Sequence, residues 1–261
     1  MTVLISAVII TFNEEKNIAA AIDSVAWADE IVVVDSESAD STRDIAERMG
    51  ARVISRPWPG FSAQKQFGVD QALNDWIFSL DADERVSAEL ARSIAAARDA
   101  SPHPAGFEIS RLAFYMRRPI RHGGWYPDRH IRLFDRTKGR WNQSIIHESV
   151  EMDPGTTVGR LGGDILHYSV AGPTEHHRMI GERYAPLGAR QMFEKGRKTS
   201  GPRAAAAGVG TFLKMYILKL GFLDGFPGFC IAWFAAHHSF MKHLLLIDLQ
   251  KAKGYTETPP Q

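Results

Sequence analysis

Short apolar runs, each ending on a hydroxyl or a carboxylate and each followed by helical spacing, constrain this chain more than any other feature. Leu4 to Ile10 is a β-branched run that stops at Thr11, Phe12 and Asn13 and reads as a buried strand. Asn13 is a good N-cap for the helix announced by Ile18, Ile22 and Val25. Glu30 to Asp35 is a second strand, and Ile45 and Met49 mark a helix closed by Gly50. Arg52 to Ser55 gives a third strand, Ser62 to Leu73 a helix, and Trp76 to Leu80 a fourth strand that ends in Asp81-Ala82-Asp83. Strands alternating with helices predict an α/β fold, a doubly wound and mostly parallel sheet whose ligands gather at the carboxyl ends of the strands. Thr11, Asp35 and the Asp81 to Asp83 pair all fall on that rim.

The second half changes character. Phe107 to Tyr115 and Ile131 to Phe134 read as strands with antiparallel or mixed pairing, separated by a loop holding Gly123, Gly124, Trp125 and Pro127. From Thr174 the pattern is helical, divided into three segments at Gly201-Pro202 and at Gly225 to Gly228. The expected organisation is a catalytic domain over 1–172, in halves 1–100 and 101–172, a helical region over 173–250 and a disordered tail over 251–261.

Composition narrows the partners. A formal net charge of +1 over 261 residues gives no reason to expect nucleic acid, so any basic surface is local. The single cysteine, Cys230, forms no intrachain disulfide, and the first residues lack the pattern of a secretory signal. A cytosolic location is expected. Between Arg190 and Lys219 seven basic residues stand against one acid, Glu194, interspersed with Phe212, Met215, Tyr216 and Leu218. That bias suits peripheral attachment to an anionic membrane surface. A true span is disfavoured, because Gly225 to Met241, though free of Asp, Glu, Lys and Arg, contains Pro227, His237 and His238 and falls short of about 20 apolar residues.

The acid-x-acid pair at a strand end offers hard oxygen donors that suit Mg²⁺ or Mn²⁺ carrying a diphosphate. A solvated turn, with Glu84 and Ser87 capping the next helix, explains the same residues. Asp35 could accept hydrogen bonds from a base or a ribose, or form an Asx-turn; Ser38, Asp40 and Ser41 already offer caps. Lys65 could meet a diphosphate, whereas Arg85 suits solvent. Glu148, after His147 at the end of a short apolar run, and Asp128, after Trp125-Tyr126-Pro127, are carboxylates that could accept a proton, with His147 better placed to orient a neighbour. His167 could be a metal ligand or a satisfied core histidine. Trp125 and Tyr126 could stack on a sugar ring, and Trp141 suits the core.

Three stretches, SAVIITFNEEKNI, EIVVVDSESADSTRDIA and WIFSLDADERV, together resemble the inverting glycosyltransferases of family 2, with the GT-A fold. The resemblance implies that Thr11 and Asp35 hold the nucleotide, that Asp81 lies near the ribose or diphosphate and that Asp83 is on the metal; Asn13, Glu14 and Lys65 stand beside them as nucleotide-sugar candidates, and His167 as a candidate further metal ligand. The position of Glu148 in the acceptor half matches where that family keeps its base, with Asp128 as the rival, and Trp125, Tyr126 and His147 are the candidate acceptor contacts. YPDRHIRLFDRTKGRW, IHESV, DILHYS and LGFLDGFPGF are similar to a subgroup that includes lipopolysaccharide-core β-1,4-glucosyltransferases. A UDP-sugar donor, glucose first, a lipid-linked saccharide acceptor and work at the inner face of the plasma membrane are the expectations that follow. DSESADST replaces the family's usual DDGSTD, so the second acidic position is absent. A sugar nucleotidyltransferase would carry a glycine-rich phosphate loop, and TFNEEKN has no glycine. A dinucleotide oxidoreductase fits less well still, since no G-x-G-x-x-G follows the first strand. A non-catalytic membrane-bound nucleotide-sugar-binding protein would need Asp35 and Asp81 but not Glu148.

Overall fold

The computed structural model describes residues 3–100, 104–144, 148–168 and 172–257. The chain forms two compact units, Met1–Leu112 with Pro127–Ser169, and Ala113–Tyr126 with Val170–Gln261. Residues 113–126, which the sequence reading keeps with the acceptor half, thus belong to the helical unit.

The first unit begins β1 (Ile5–Thr11), α1 (Ile18–Ser24), β2 (Glu30–Asp35), α2 (Thr42–Arg48), β3 (Arg52–Ser55), α3 (Phe61–Gln71) and β4 (Trp76–Asp81). It continues with β5 (Glu84–Val86), α4 (Ala88–Asp99) and β6 (Gly106–Tyr115). The short β7 (Arg118–Pro119), paired with Phe114 and Tyr115 at the end of β6, lies in the second unit, while β8 (Asp128–Asp135), β9 (Gly139–Trp141), β10 (Val150–Met152) and β11 (Val158–His167) complete the strands of the first. The main sheet runs β3-β2-β1-β4-β8-β6-β11-β5. The first four of these strands are parallel, while β8 runs antiparallel to both β4 and β6, and β11 to β5.

Every residue of β1 is buried, as a parallel strand covered on both faces requires. Its alternation feeds two cores. Ile5, Ala7 and Ile9 face Ile18, Ile22, Leu90 and Ile94, whereas Val8 and Ile10 face Val69, Trp141 and Val150. Each fully buried Ile, Leu or Val contributes about 1.5–3 kcal/mol. Gly68 on α3 lies so close to Val8 and Val34 that a Cβ there would overlap the Val8 side chain. The helix is therefore pressed directly onto the sheet.

One cap differs from expectation. α1 starts at Ile18, and Asn13 is no helix cap but sits at φ 54°, a left-handed turn that asparagine tolerates. Ser87, by contrast, caps α4 by accepting from the Leu90 N–H at 3.2 Å.

The second unit is helical. α5 (Pro173–Met179) passes through a π-helical turn, Ile180–Tyr184, into α6 (Ala185–Glu194). α7 (Gly201–Leu213) runs on through a second π-helical turn, Lys214–Leu218, and a 3₁₀ turn, Gly221–Asp224, leads to α8 (Gly225–Glu257). The three expected segments are present, but α8 carries the helix seven residues, 251–257, into the tail expected to be disordered; residues 258–261 lie outside the described residues.

Candidate active site

Parallel register sets the rim. Thr11 lies beside Asp35, and Ile10 beside Asp81, so the ends of β1, β2 and β4 meet at one edge. Asp35 is fully buried; the Ser38 N–H and hydroxyl both donate to its carboxylate, at 2.9 and 2.5 Å. The expectation that Ser38 and its neighbours leave Asp35 free of turn-making is corrected here, because a carboxylate out of water needs donors and Ser38 supplies them. The Asn13 N–H donates to the Ser38 hydroxyl and its side-chain oxygen accepts from the Ala39 N–H, both at 2.8 Å. The Glu14 N–H donates to the Thr42 hydroxyl at 2.8 Å. These bonds lace together the loops after β1 and β2. The Thr11 hydroxyl, buried at the same edge, has no partner among the described residues.

A buried charge cluster lies under the end of β4. Lys65 on α3 is 1% exposed, with Nζ 3.0 Å from Asp81 Oδ1, 4.0 Å from Glu148 Oε1 and 4.8 Å above the Trp141 ring. Arg132 on β8 donates to Glu84 Oε1 at 2.9 Å and lies 3.8 Å from Asp81 Oδ2. Glu84 is fully buried, and its other oxygen accepts from the Asp81 N–H at 3.0 Å. Burial would raise the Asp81 pKa, but the Lys65 and Arg132 charges outweigh it and hold the carboxyl well below the usual range. Asp81 thus serves Lys65. Glu84, read from sequence as a helix cap, instead anchors an arginine inside the protein.

That anchoring has a measurable consequence. Glu84→Ala leaves the Arg132 guanidinium buried without its shortest partner, which costs about 3–5 kcal/mol. Arg160→Ala, in a largely exposed pair with Glu108, costs about 0–1 kcal/mol. Urea unfolding of the two variants measures the difference; equal losses would contradict the buried role.

Asp128 at the start of β8 accepts from Arg111 at 2.6 and 2.9 Å and lies 2.8 Å from His130 Nε2. Burial raises its pKa, but the His130 hydrogen bond and the Arg111 charge bring it well below the ordinary range, which weakens it as a base. The Glu148 side chain is 31% exposed, and its Oε1 lies 4.0 Å from the Lys65 ammonium.

Asp83 and His167 meet across the β5–β11 edge, with His167 Nε2 3.3 Å from Asp83 Oδ2 and the Tyr168 N–H donating to the Asp83 carbonyl at 3.0 Å. A carboxylate and an imidazole suit Mn²⁺, and Mg²⁺ with more water. Among the described residues no group of three or more His, Cys, Asp and Glu side chains is placed to hold a metal, so the pair fits a cation completed by ligand oxygens and water. Arg85 stacks at 4.4 Å over Tyr168.

In the second unit, Trp125 is packed edge-on against Tyr115 and His176, with ring centroids 6.4 and 6.3 Å away, and Tyr126 lies 5.5 Å from the Arg121 guanidinium. Trp125 is thus part of a small apolar cluster with Tyr115, Ile120 and Ile231. His147 lies outside the described residues. Trp141 is core, 4% exposed.

With this geometry in view, the comparison with known families is decisive: the Glycosyl transferase family 2 profile matches residues 6–148, more than half of the chain. The chain belongs to glycosyl transferase family 2. The matched stretch runs from β1 to Glu148, and so includes Thr11, Asp35, Lys65, Asp81, Asp83, Arg132 and Glu148. An uncharacterized glycosyltransferase of Rickettsia typhi is 33% identical over 265 residues, covering 94% of this chain and 87% of that one. The lipopolysaccharide core biosynthesis glycosyltransferase LpsC of Rhizobium meliloti is 29% identical over 260 residues, covering 92% and 93%. The crystal structure of glucosyl-3-phosphoglycerate synthase from Mycobacterium tuberculosis with Mn²⁺, UDP and glucosyl-3-phosphoglycerate overlaps 43% of this chain and 44% of that one, at 25% identity and a TM-score of 0.36. That overlap is too partial to bear on the site.

This family 2 chain has the expected α/β GT-A sheet with a helical C-terminal region. Two residues of its site, Arg111 and Arg132, went unsingled in the sequence, and Glu84 was read there only as a cap. For Arg132 a signal existed, since it interrupts the apolar strand Ile131 to Phe134, and a charge inside a buried run must find partners.

Proposed function

We propose that this enzyme transfers a hexose with inversion, glucose from UDP-glucose in the first instance, to a hydroxyl of a lipid-linked saccharide of the lipopolysaccharide inner-core type. The observation that carries the reading is the placing of a partly exposed carboxylate, Glu148, 4.0 Å from the buried Lys65, which itself pairs with Asp81 at the rim. Support for the acceptor class comes from LpsC, a lipopolysaccharide core biosynthesis glycosyltransferase similar to this chain over 92% of its length.

In the proposed reaction Glu148 takes the acceptor hydroxyl's proton as that oxygen bonds to the anomeric carbon, and the bond to the diphosphate oxygen breaks with its electron pair leaving on the diphosphate. A divalent cation held by Asp83 and His167 would supply neutralisation of the leaving diphosphate. Lys65 places a fixed positive charge at the rim while its own pairing with Asp81 keeps it oriented. Arg132 and Glu84 hold Asp81 in turn, through the guanidinium and through the main-chain N–H. Thr11 and Asp35 line the nucleotide edge, where the Thr11 hydroxyl, without a partner among the described residues, is available to a ribose or base.

The test is a panel of nucleotide sugars with Mn²⁺ or Mg²⁺ and a lipopolysaccharide lacking its core hexose. UDP release from UDP-glucose that requires this acceptor is expected. Release from another donor alone would change the sugar, and a nucleoside triphosphate requirement would turn the reading to nucleotidyl transfer.

A further inference from the structure

A helix that packs one side within its unit and turns the other to water carries polar residues outside. Along α7 and its π-helical continuation the rule is reversed. Ala204 and Gly208 face inward, with Gly208 close against the Ala236 carbonyl of α8. The outward positions, one turn apart, are Ala205, Val209, Leu213 and Ile217, with Leu218 beside the last. Val209 is 61% exposed and Leu218 is 77% exposed.

The apolar surface continues through the 3₁₀ turn, where Phe222 and Leu223 are exposed, onto the first turns of α8. There Phe226 and Trp233 are 65% and 60% exposed, and each stacks on Phe229, at 6.2 and 6.3 Å between ring centroids. Phe212 on α7 meets Phe229 at 5.8 Å, so the two helices share one aromatic surface.

Charge decides what covers it. Arg203, Lys214 and Lys219 are exposed on the same segment, whereas the one carboxylate between Lys195 and Ile247 is Asp224. Asp224 is turned inward, 6% exposed, accepting from the His122 N–H and lying 2.8 Å from its Nδ1. Cations around an apolar surface with no exposed carboxylate complement phosphate headgroups and would repel a second copy of themselves.

We propose that this surface seats in one leaflet of an anionic bilayer, its aromatic and aliphatic side chains below the headgroups and its cations among the phosphates. Among the described residues no single helix is long and apolar enough to cross a membrane; Gly201–Leu218 and Gly221–Ala252 pass by length and composition only as a pair bent by 71°. Seated as proposed, such a bent pair would enter and leave on one side. The surface shares no residue with the proposed reaction, so it stands or falls separately from the choice of donor and acceptor.

The experiment is sedimentation of the full chain with phosphatidylcholine vesicles, pure or containing phosphatidylglycerol at roughly 30 mol%. Co-sedimentation with the anionic vesicles is expected, with part of it surviving about 0.5 M NaCl, since salt screens charge but not apolar burial. Replacing Leu213, Leu218 and Phe226 with glutamine should lower partitioning by roughly ten-fold or more, with thermal unfolding by circular dichroism unchanged. Lys214→Gln with Lys219→Gln should reduce only the preference for anionic vesicles. Wild-type protein left in the supernatant, complete release by salt, or a triple variant that partitions like wild type would each overturn the proposal. So would self-association of the lipid-free chain that the triple variant abolishes while vesicle binding persists, which would assign the surface to a second copy.

Discussion

Glu148→Gln is expected to lower transfer by roughly 10²- to 10⁴-fold, the usual range for a lost general base, with donor affinity unchanged. Glutamine keeps the shape of the side chain and removes the proton acceptor. Lys65 loses a neighbour at 4.0 Å but keeps Asp81 at 3.0 Å, so the nucleotide edge remains organised. Initial rates at saturating acceptor, beside donor binding by calorimetry, separate the two effects. Asp128→Asn provides the contrast. Its carboxylate is already engaged by Arg111 and His130, so the variant should turn over near the wild-type rate. A dead Asp128→Asn beside an active Glu148→Gln would move the base to Asp128, and two active variants would rule out displacement assisted by either carboxylate.

Asp83→Ala should behave differently, with transfer falling below detection and donor binding losing its response to Mn²⁺ or Mg²⁺. The substitution removes the anionic oxygen of a two-residue donor pair, and the remaining His167 supplies one neutral nitrogen. Charge stabilisation at a departing diphosphate is worth several kcal/mol, enough to silence the reaction. Donor binding titrated with and without the cation reads the loss directly. Undiminished turnover of the unaltered enzyme in excess chelator would remove the metal from the reading altogether. Glu148 and Asp83 are thereby distinguished: one affects rate alone, the other rate and donor binding together.

The edges of the parallel half were legible because a strand buried on both faces must be apolar throughout. Glu30–Asp35 and Trp76–Asp81 end where their apolar runs end, and the polar residues that follow could lie only on the rim. Thr11, Asp35 and Asp81 were found that way. Glu84 was not, because its role depends on β8 bringing Arg132 to it across 48 positions of chain, which no local pattern reports. Lys65 was recognised as a candidate for diphosphate, but its burial follows from how closely α3 lies on the sheet. Asn13 misled for a related reason: its side chain answers the loop after β2, at Ala39, instead of its own helix. In the helical unit the charge bias was plain, yet the larger feature, an outward apolar face on α7, emerged only once Gly208 showed which side faces in.

The closeness of α3 to β1 reaches beyond packing. Lys65 and Gly68 are three residues apart, on neighbouring positions of one helix face. With no Cβ at 68, the helix backbone rests on Val8 and Val34, and that contact fixes how deep the Lys65 ammonium reaches. A methyl group at position 68 would act as a shim, lifting the whole arm that carries the lysine and drawing it away from Asp81 without touching either charged group. The tuning screw of this site is therefore an uncharged position with no side chain, and variation in rate among similar chains can originate where no chemistry is visible.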